Sequence, residues 1–239
     1  MKVLIIVPAF NEEQALGGLL EEIRALPDVG AEVQTVVVDD GSSDRTAEVA
    51  RAGGARVIEL CGNVGIGGAV QSGLRLAARE KFDFAVQIDG DGQHPPAELA
   101  RLLAAAGSND LVVGTRYRDK DNFRSTFLRR LGSGWLKLVL RVVARVRISD
   151  PTSGFRLYGP RALALFDETY PYDYPEPESL AVASRNGLVL AETSVTMRER
   201  QGGRSSIAGF STLYYMLKVT LAIVLSYARS KGKTDATGG

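Results

Sequence analysis

Asp89, Asp91 and Gln93 stand at alternate positions in the run V-Q-I-D-G-D-G-Q-H-P-P, Val86 to Pro96, directly after an apolar stretch of β type. Two carboxylates at spacing two repel each other unless a positive charge lies between them. A hard divalent cation is a natural partner, because it takes oxygen ligands, and the side-chain oxygen of Gln93 is a third donor of that kind. The same residues also suit an ordinary turn, since Asp and Gly are turn formers. The spacing alone leaves both readings open.

The elements around this run favour the first reading. Residues 2–8, 31–40, 55–60, 82–89 and 109–114 are short β-branched runs and predict strands. Residues 11–26, 44–54, 67–81 and 96–107 carry helical periodicity, with Pro96 suited to a first helical turn. Near-continuous apolar strands separated by helices imply an α/β fold with a mostly parallel sheet covered on both faces. Ligands of such sheets gather at the carboxyl ends of the strands. P-A-F-N-E-E follows the first strand, D-D-G-S-S-D the second and D-G-D-G-Q the fourth. Polar clusters thus converge on one edge, which an isolated turn does not explain.

Composition bounds the rest. A chain of 239 residues with 45% hydrophobic and 24% charged residues can bury a full core as one large or two small domains. A net charge of +1 excludes a generally basic nucleic-acid binder. One cysteine, Cys61, excludes a disulfide framework and a thiolate metal site, and suits a buried apolar position in a reducing compartment. The N-terminal M-K-V-L-I-I-V-P-A-F-N-E-E reads as a strand and not a signal peptide, because Pro8 and the acids follow at once. The glycine-rich N-V-G-I-G-G-A-V-Q-S-G lacks both the P-loop Lys-Ser/Thr and the dinucleotide-binding spacing.

Taken in order, P-A-F-N-E (8–12), V-D-D-G-S-S-D-R-T (38–46), N-V-G-I-G-G-A (63–69), D-G-D-G-Q-H-P-P (89–96), G-T-R-Y (114–117), D-P-T-S-G-F-R (150–156) and R-Q-G-G-R-S (200–205) resemble the family 2 glycosyltransferases. The resemblance is to the branch containing dolichol-phosphate mannose synthase and the bacterial polyprenyl-phosphate sugar transferases. It implies a GT-A fold, a Rossmann-like mostly parallel sheet flanked by helices, over residues 1–206. It implies that Pro8, Phe10 and Glu12 line the nucleoside, and that Asp40 with the Val38 backbone contacts the base. Asp89, Asp91 and Gln93 would hold Mg²⁺ or Mn²⁺ against the donor diphosphate and stabilise it as a leaving group. His94 would either touch the donor or make a structural hydrogen bond.

A phosphate acceptor is already anionic and needs positioning by cations more than a general base. Arg116, Arg129 with Ser133, and Arg200 fall where the resemblance places contacts to a lipid phosphate. The Lys usual after Ser205 is Ser206 here, so Arg204 is the substitute. For each arginine taken alone, a solvated surface charge is the commoner fate. In Y-P-Y-D-Y-P-E-P-E-S-L, Glu178 is the candidate for the family's catalytic acid, beside Asp91 and Arg116. Were the acceptor a hydroxyl, Glu176 or Glu178 would be its base. The Q-x-x-R-W signature of processive synthases is absent, since Trp135 is the only tryptophan.

Two segments point to a membrane. On a helix over 127–148, Arg130, Lys137, Arg141 and Arg145 form one stripe among apolar residues and Trp135, as at an anionic lipid surface. An ordinary surface helix is the alternative. Residues 207–227 carry Lys218 as their only charge, with Ser211, Tyr214, Tyr215, Lys218 and Ser226 toward one side. That pattern predicts a helix lying in the interface, ahead of a packed core helix or a span. The expected organisation is a transferase domain over 1–206, an amphipathic membrane-contacting C-terminal helix over 207–229 and a disordered tail over 230–239.

The expected function is inverting, metal-dependent transfer of one sugar from a UDP- or GDP-linked donor to a polyprenyl phosphate, by an enzyme peripheral on the cytoplasmic face of the cell membrane. A small integral membrane protein or a second copy of the chain are further candidate partners, and nucleic acid is not. The alternatives are transfer to a hydroxyl in polysaccharide or cell-wall synthesis, and a catalytically idle membrane scaffold. The intact D-x-D with Gln93 argues against the scaffold, and the arginines argue against the hydroxyl acceptor.

Overall fold

The computed structural model describes residues 1–116, 127–198 and 212–229, with residues 127–131, 212–215 and 229 described by backbone alone. The expectations placed on Tyr117, Arg200, Arg204 and the 230–239 tail, and on the side chains of Arg129 and Arg130, lie outside the described residues.

The chain begins β1 (Lys2–Ala9), α1 (Leu16–Arg24), β2 (Glu32–Asp39), α2 (Thr46–Ala52), β3 (Arg56–Glu59), α3 (Ile66–Arg79) and β4 (Phe84–Gln87). A single turn of 3-10 helix at Pro96–Glu98 leads into α4 (Leu99–Ala106), followed by β5 (Leu111–Thr115) and α5 (Phe127–Val143). The remainder is β6 (Arg156–Tyr158), α6 (Pro160–Glu168), α7 (Pro175–Arg185), β7 (Leu190–Ser194) and α8 (Thr212–Arg229). The strands form one sheet in the order β3-β2-β1-β4-β6-β5-β7. Only β6 is antiparallel to its neighbours, β4 and β5. The mostly parallel α/β sheet read from the sequence is the sheet observed.

Strand alternation explains the layers. Leu4 and Ile6 of β1 enter the core beneath α3, α5, α6, α7 and α8, while Val3, Ile5 and Val7 enter the one beneath α1 and α4. All five are fully buried. A central strand apolar on both faces requires helices on both faces, and the β1–β2–β4 pairing then brings three strand ends to one edge.

Two details of the membrane-facing expectation change. The helix over 127–148 ends at Val143: Arg145 adopts φ 56°, and the Val146 amide returns to the Leu140 carbonyl at 3.1 Å, closing the helix C-terminus. Arg145 therefore leaves the stripe that Lys137 and Arg141 share. In α8 two hydroxyls, those of Thr220 and Ser226, meet neighbouring helices, while Lys218 and several leucines face outward. The Thr220 hydroxyl accepts from the Trp135 indole at 2.9 Å, and Ser226 donates to Glu178 at 2.6 Å. Val219 and Ile223 complete the core, while Leu217, Leu221, Val224 and Leu225 are exposed beside Lys218. Among the described residues no helix is long and apolar enough to cross a membrane.

Candidate active site

The ends of β1 and β2 are clasped together. The Asn11 and Glu12 amides donate to the Ser42 and Thr46 hydroxyls at 2.9 Å each, and the Ser43 amide donates to the Asn11 side chain at 2.9 Å. Asp44 accepts from the Thr46 and Glu13 amides at 2.9 and 3.2 Å. Burial pushes the Asp44 carboxyl upward, but the Thr46 hydroxyl and amide, with the Glu13 amide, outweigh it and hold its pKa below the ordinary value. Much of D-D-G-S-S-D-R-T is thus a fastening for N-E-E.

Asp40, almost fully buried, accepts the Val64 and Gly65 amides at 2.7 and 2.9 Å, one on each oxygen. It shapes the turn leading into α3, and a carboxylate has lone pairs left for a second donor on each oxygen. Phe10, Glu12, Asp40, Asn63, Asp89 and Asp91 border one cleft of ≈ 890 Å³, of ligand-site size, together with Pro8, Ile66, Tyr172 and Asp173. The structure therefore brings together Pro8, Phe10, Glu12, Asp40, Asp89 and Asp91. It does not bring Val38, which is fully buried inside β2 between Pro8 and Ile58.

The D-G-D-G-Q turn is braced from behind. The Asp89 amide donates to His94 Nδ1 at 3.1 Å, and the His94 ring stacks on Phe155 at 4.9 Å. A residue larger than glycine at 154 would press into the Asp89 carboxylate, with its Cβ 3.1 Å from both oxygens. Gln87 donates to Asp89 at 3.1 Å and accepts from Tyr158. The fully buried Arg156 holds the loop in place by donating to the Ser153 and Pro151 carbonyls and to Ser179. D-P-T-S-G-F-R is therefore the buttress of D-G-D-G-Q.

The donor set tests a cation. Asp91, buried at the cleft wall, accepts the Gln93 amide at 3.0 Å, and Asp89 is partly open to the cleft. No group of three or more His, Cys, Asp or Glu suited to a metal occurs among the described residues. Two carboxylates fit a Mg²⁺-like ion that takes its remaining oxygens from a diphosphate and water, which is how such ions are usually held beside phosphates. Gln93 is not part of the cleft lining, and its carbonyl accepts from Arg198.

Arg116 follows β5, is absent from the cleft lining and pairs through Nε with the fully buried Asp150 at 2.9 Å. Thr152 donates to the other Asp150 oxygen. The Ser133 hydroxyl is buried and makes no hydrogen bond among the described residues. Glu178 does not line the cleft, and its two oxygens accept the Tyr174 amide and the Ser226 hydroxyl. Asn63, Ile66, Tyr172 and Asp173 were missed from sequence. The N-V-G-I-G-G match could have pointed to the first two, and nothing local pointed to the last two.

An open α/β sheet with a ligand-sized cleft at its strand ends and two acids after β4 is built as a ligand-binding α/β domain. Residues 4–164 match the model described as Glycosyl transferase family 2, and the chain belongs to that family. It is a glycosyltransferase. It is 31% identical to an undecaprenyl-phosphate mannosyltransferase of Micrococcus luteus, covering 87% of this chain and 88% of that one. It is 32% identical to a polyprenol monophosphomannose synthase of Mycolicibacterium smegmatis, covering 91% and 85%. Glucosyl-3-phosphoglycerate synthase of Mycobacterium tuberculosis, solved with Mn²⁺, UDP-glucose and phosphoglyceric acid, superposes with a TM-score of 0.69 at 20% identity, over 98% of this chain and 81% of that one. That likeness is one of fold.

Proposed function

We propose that the protein transfers a single sugar, with inversion, from a UDP- or GDP-linked donor to a polyprenyl phosphate. The observation that carries this reading is the single cleft lined by Phe10, Glu12 and Asp40 together with Asp89 and Asp91. Apolar and hydrogen-bonding groups suit a nucleoside, and the paired carboxylates suit its diphosphate through Mg²⁺ or Mn²⁺. The bound cation supplies charge neutralisation to the leaving diphosphate. Asp89 and Asp91 hold it, and Gln93 is the third candidate ligand.

An acceptor phosphate oxygen then attacks the anomeric carbon from the face opposite the diphosphate. One C–O bond forms as the other breaks, and the configuration inverts. Arg116 is set for the acceptor by Asp150, and the Ser133 hydroxyl of α5, which makes no hydrogen bond among the described residues, is a second donor. Arg129 and Arg200 complete the acceptor set by resemblance. The names of the relatives support a polyprenyl phosphate.

The acceptor is a lipid, and the exposed faces of α5 and α8 supply a surface for its membrane. Trp135, Leu138 and Val142 stand next to Leu217, Leu221 and Leu225, with Arg141 and Lys218 exposed among them. This suits a peripheral enzyme on an anionic, cytoplasmic leaflet. The test is incubation of the protein with polyprenyl phosphate, MgCl2 or MnCl2 and each of several labelled UDP- and GDP-sugars. A mild-acid-labile lipid product is expected with one donor. Product only on a hydroxyl acceptor would replace this reading with the polysaccharide one.

A further inference from the structure

We infer that Glu178 is a positioning residue that fastens one wall of the donor cleft, Pro171–Tyr174, to the C-terminal helix. The inference rests on the reading of that cleft as the donor site. Glu178 lies in the first turn of α7 and is 6% exposed. One oxygen accepts the Tyr174 amide at 3.1 Å, and the other accepts the Ser226 hydroxyl of α8 at 2.6 Å. Both oxygens are thus committed to holding chain segments together.

The segment held is the one that the cleft uses. Tyr172 and Asp173 line the same cleft as Asp40 and Asn63, and Tyr174 immediately follows them. The other side of this wall is pinned to α3. A Cβ at Gly67 would lie 2.6 Å from the Pro171 carbonyl oxygen and 2.7 Å from that of Tyr172, so glycine is what lets the wall seat there. The Tyr172 hydroxyl donates to Gln71 at 2.9 Å. Tyr172 itself is 60% exposed, so hydrogen bonds rather than burial must hold it.

Burial pushes the Glu178 carboxyl up, and the Ser226 and Tyr174 hydrogen bonds oppose that shift without cancelling it. The wall's fastening to α8 makes donor affinity depend on how the C-terminal helix is seated. Loosening it should weaken capture of the donor more than the chemical step, because the reacting groups at Asp89, Asp91 and Arg116 are anchored elsewhere.

Glutamine separates this role from a chemical one. Its amide oxygen can accept from Tyr174, and its NH2 can donate to the Ser226 hydroxyl, which is also an acceptor. The experiment measures UDP and GDP binding in MgCl2 or MnCl2, steady-state transfer, and hydrogen exchange of the nucleotide-free protein, for Glu178→Gln, Glu178→Ala and Ser226→Ala. Glu178→Ala should weaken nucleotide binding about tenfold with kcat within about threefold, and speed exchange over 171–177 and α8. Ser226→Ala should show a smaller change of the same kind, and Glu178→Gln should restore binding and exchange to near the parent values.

Loss of kcat in Glu178→Gln as deep as in Glu178→Ala would overturn the inference, since the carboxylate itself would then act. Unchanged exchange over 171–177 in Glu178→Ala would overturn it as well. A parent protein that binds neither UDP nor GDP would overturn the donor-site reading and this assignment with it, and the exchange result would still show whether the wall is fastened.

Discussion

The backbone amide of Asp89 donates to Nδ1 of His94 at 3.1 Å, so this ring nitrogen serves as an acceptor that ties the D-G-D turn to the imidazole. The Asp89 carboxylate lies 3.7 Å from the same nitrogen, yet a nitrogen that accepts an amide proton carries none of its own and makes no ion pair. With the Phe155 ring stacked 12° from parallel, His94 is a prop under the D-G-D turn. The sequence left donor contact and structural support equally open for this residue, and the structure gives the second.

His94→Ala should therefore loosen Asp89 without removing any ligand. Supports of metal-binding carboxylates are typically worth 10–100-fold in affinity or activity. Transfer by the variant should fall by about that factor at low MnCl2 and recover in part when MnCl2 is raised. An unaltered metal titration would show that His94 supports nothing the cation uses. Asp91→Ala, by contrast, should abolish transfer at every metal concentration.

Arg116 and Asp150 make a second testable pair. Arg116→Ala should weaken use of polyprenyl phosphate by roughly 1.5–3 kcal/mol, the worth of one charge-assisted hydrogen bond, and leave UDP or GDP affinity in place. Asp150→Ala removes the fully buried acceptor of Arg116 Nε, so it should cost about 1.5–3 kcal/mol of stability as well, the worth of a hydrogen bond to a charged group. Loss of nucleotide affinity alone in Arg116→Ala would move that arginine from the acceptor to the donor diphosphate.

How far the sequence carried can be seen residue by residue. β1, β2 and β4 were legible because their apolar runs are long and end in abrupt polar clusters, and the topology rule then brings those ends together. That brings three polar clusters to one edge, and it was the family resemblance that singled out Pro8, Phe10, Glu12 and Asp40 beside Asp89 and Asp91. β6 has three residues, too few for a period, and it pairs antiparallel with strands far away in sequence. α7 opens with P-E-P-E and buries Glu178 and Ser179, so no apolar face announces it. Tyr172 and Asp173 reach the cleft only because Gly67 lets their backbone sit on α3, a contact no local pattern encodes. In α8, Ser226 reads from sequence as part of a polar side with Lys218, yet it donates to Glu178 while Lys218 is exposed.

Glu176 carries a pH prediction. Its carboxyl end is enclosed, although the residue keeps some accessible surface, and burial raises its pKa above 4.5. Arg156 opposes the shift and Asp89 adds to it. The folded state therefore binds this proton more tightly than the unfolded state. The stability contributed by the group declines as pH rises from the unfolded value through the raised one. Glu176→Gln lacks that loss, so its melting temperature should gain on the parent's as pH rises above the ordinary carboxylate range and level off once the raised pKa is passed. A difference that is flat across this window would mean that the carboxyl is solvated.

The outward face of α8 gives the last prediction. Leu221 is 59% exposed and Leu225 44%, on the side of α8 away from Val219 and Ile223. Replacing both with serine should leave the melting temperature nearly unchanged, because neither supports the core. Each leucine buried in lipid is worth roughly 1.5–3 kcal/mol, so partitioning onto anionic liposomes should fall by about 100-fold or more. Arg141 and Lys218 flank the same surface, and Arg141→Gln with Lys218→Gln should flatten the salt dependence of the binding that remains, since the Coulomb attraction to the headgroups is what salt screens. Parent-like flotation with liposomes after the serine replacements would remove this face from the membrane contact. A shift from dimer to monomer in the same variant, with flotation intact, would assign it to a second copy of the chain.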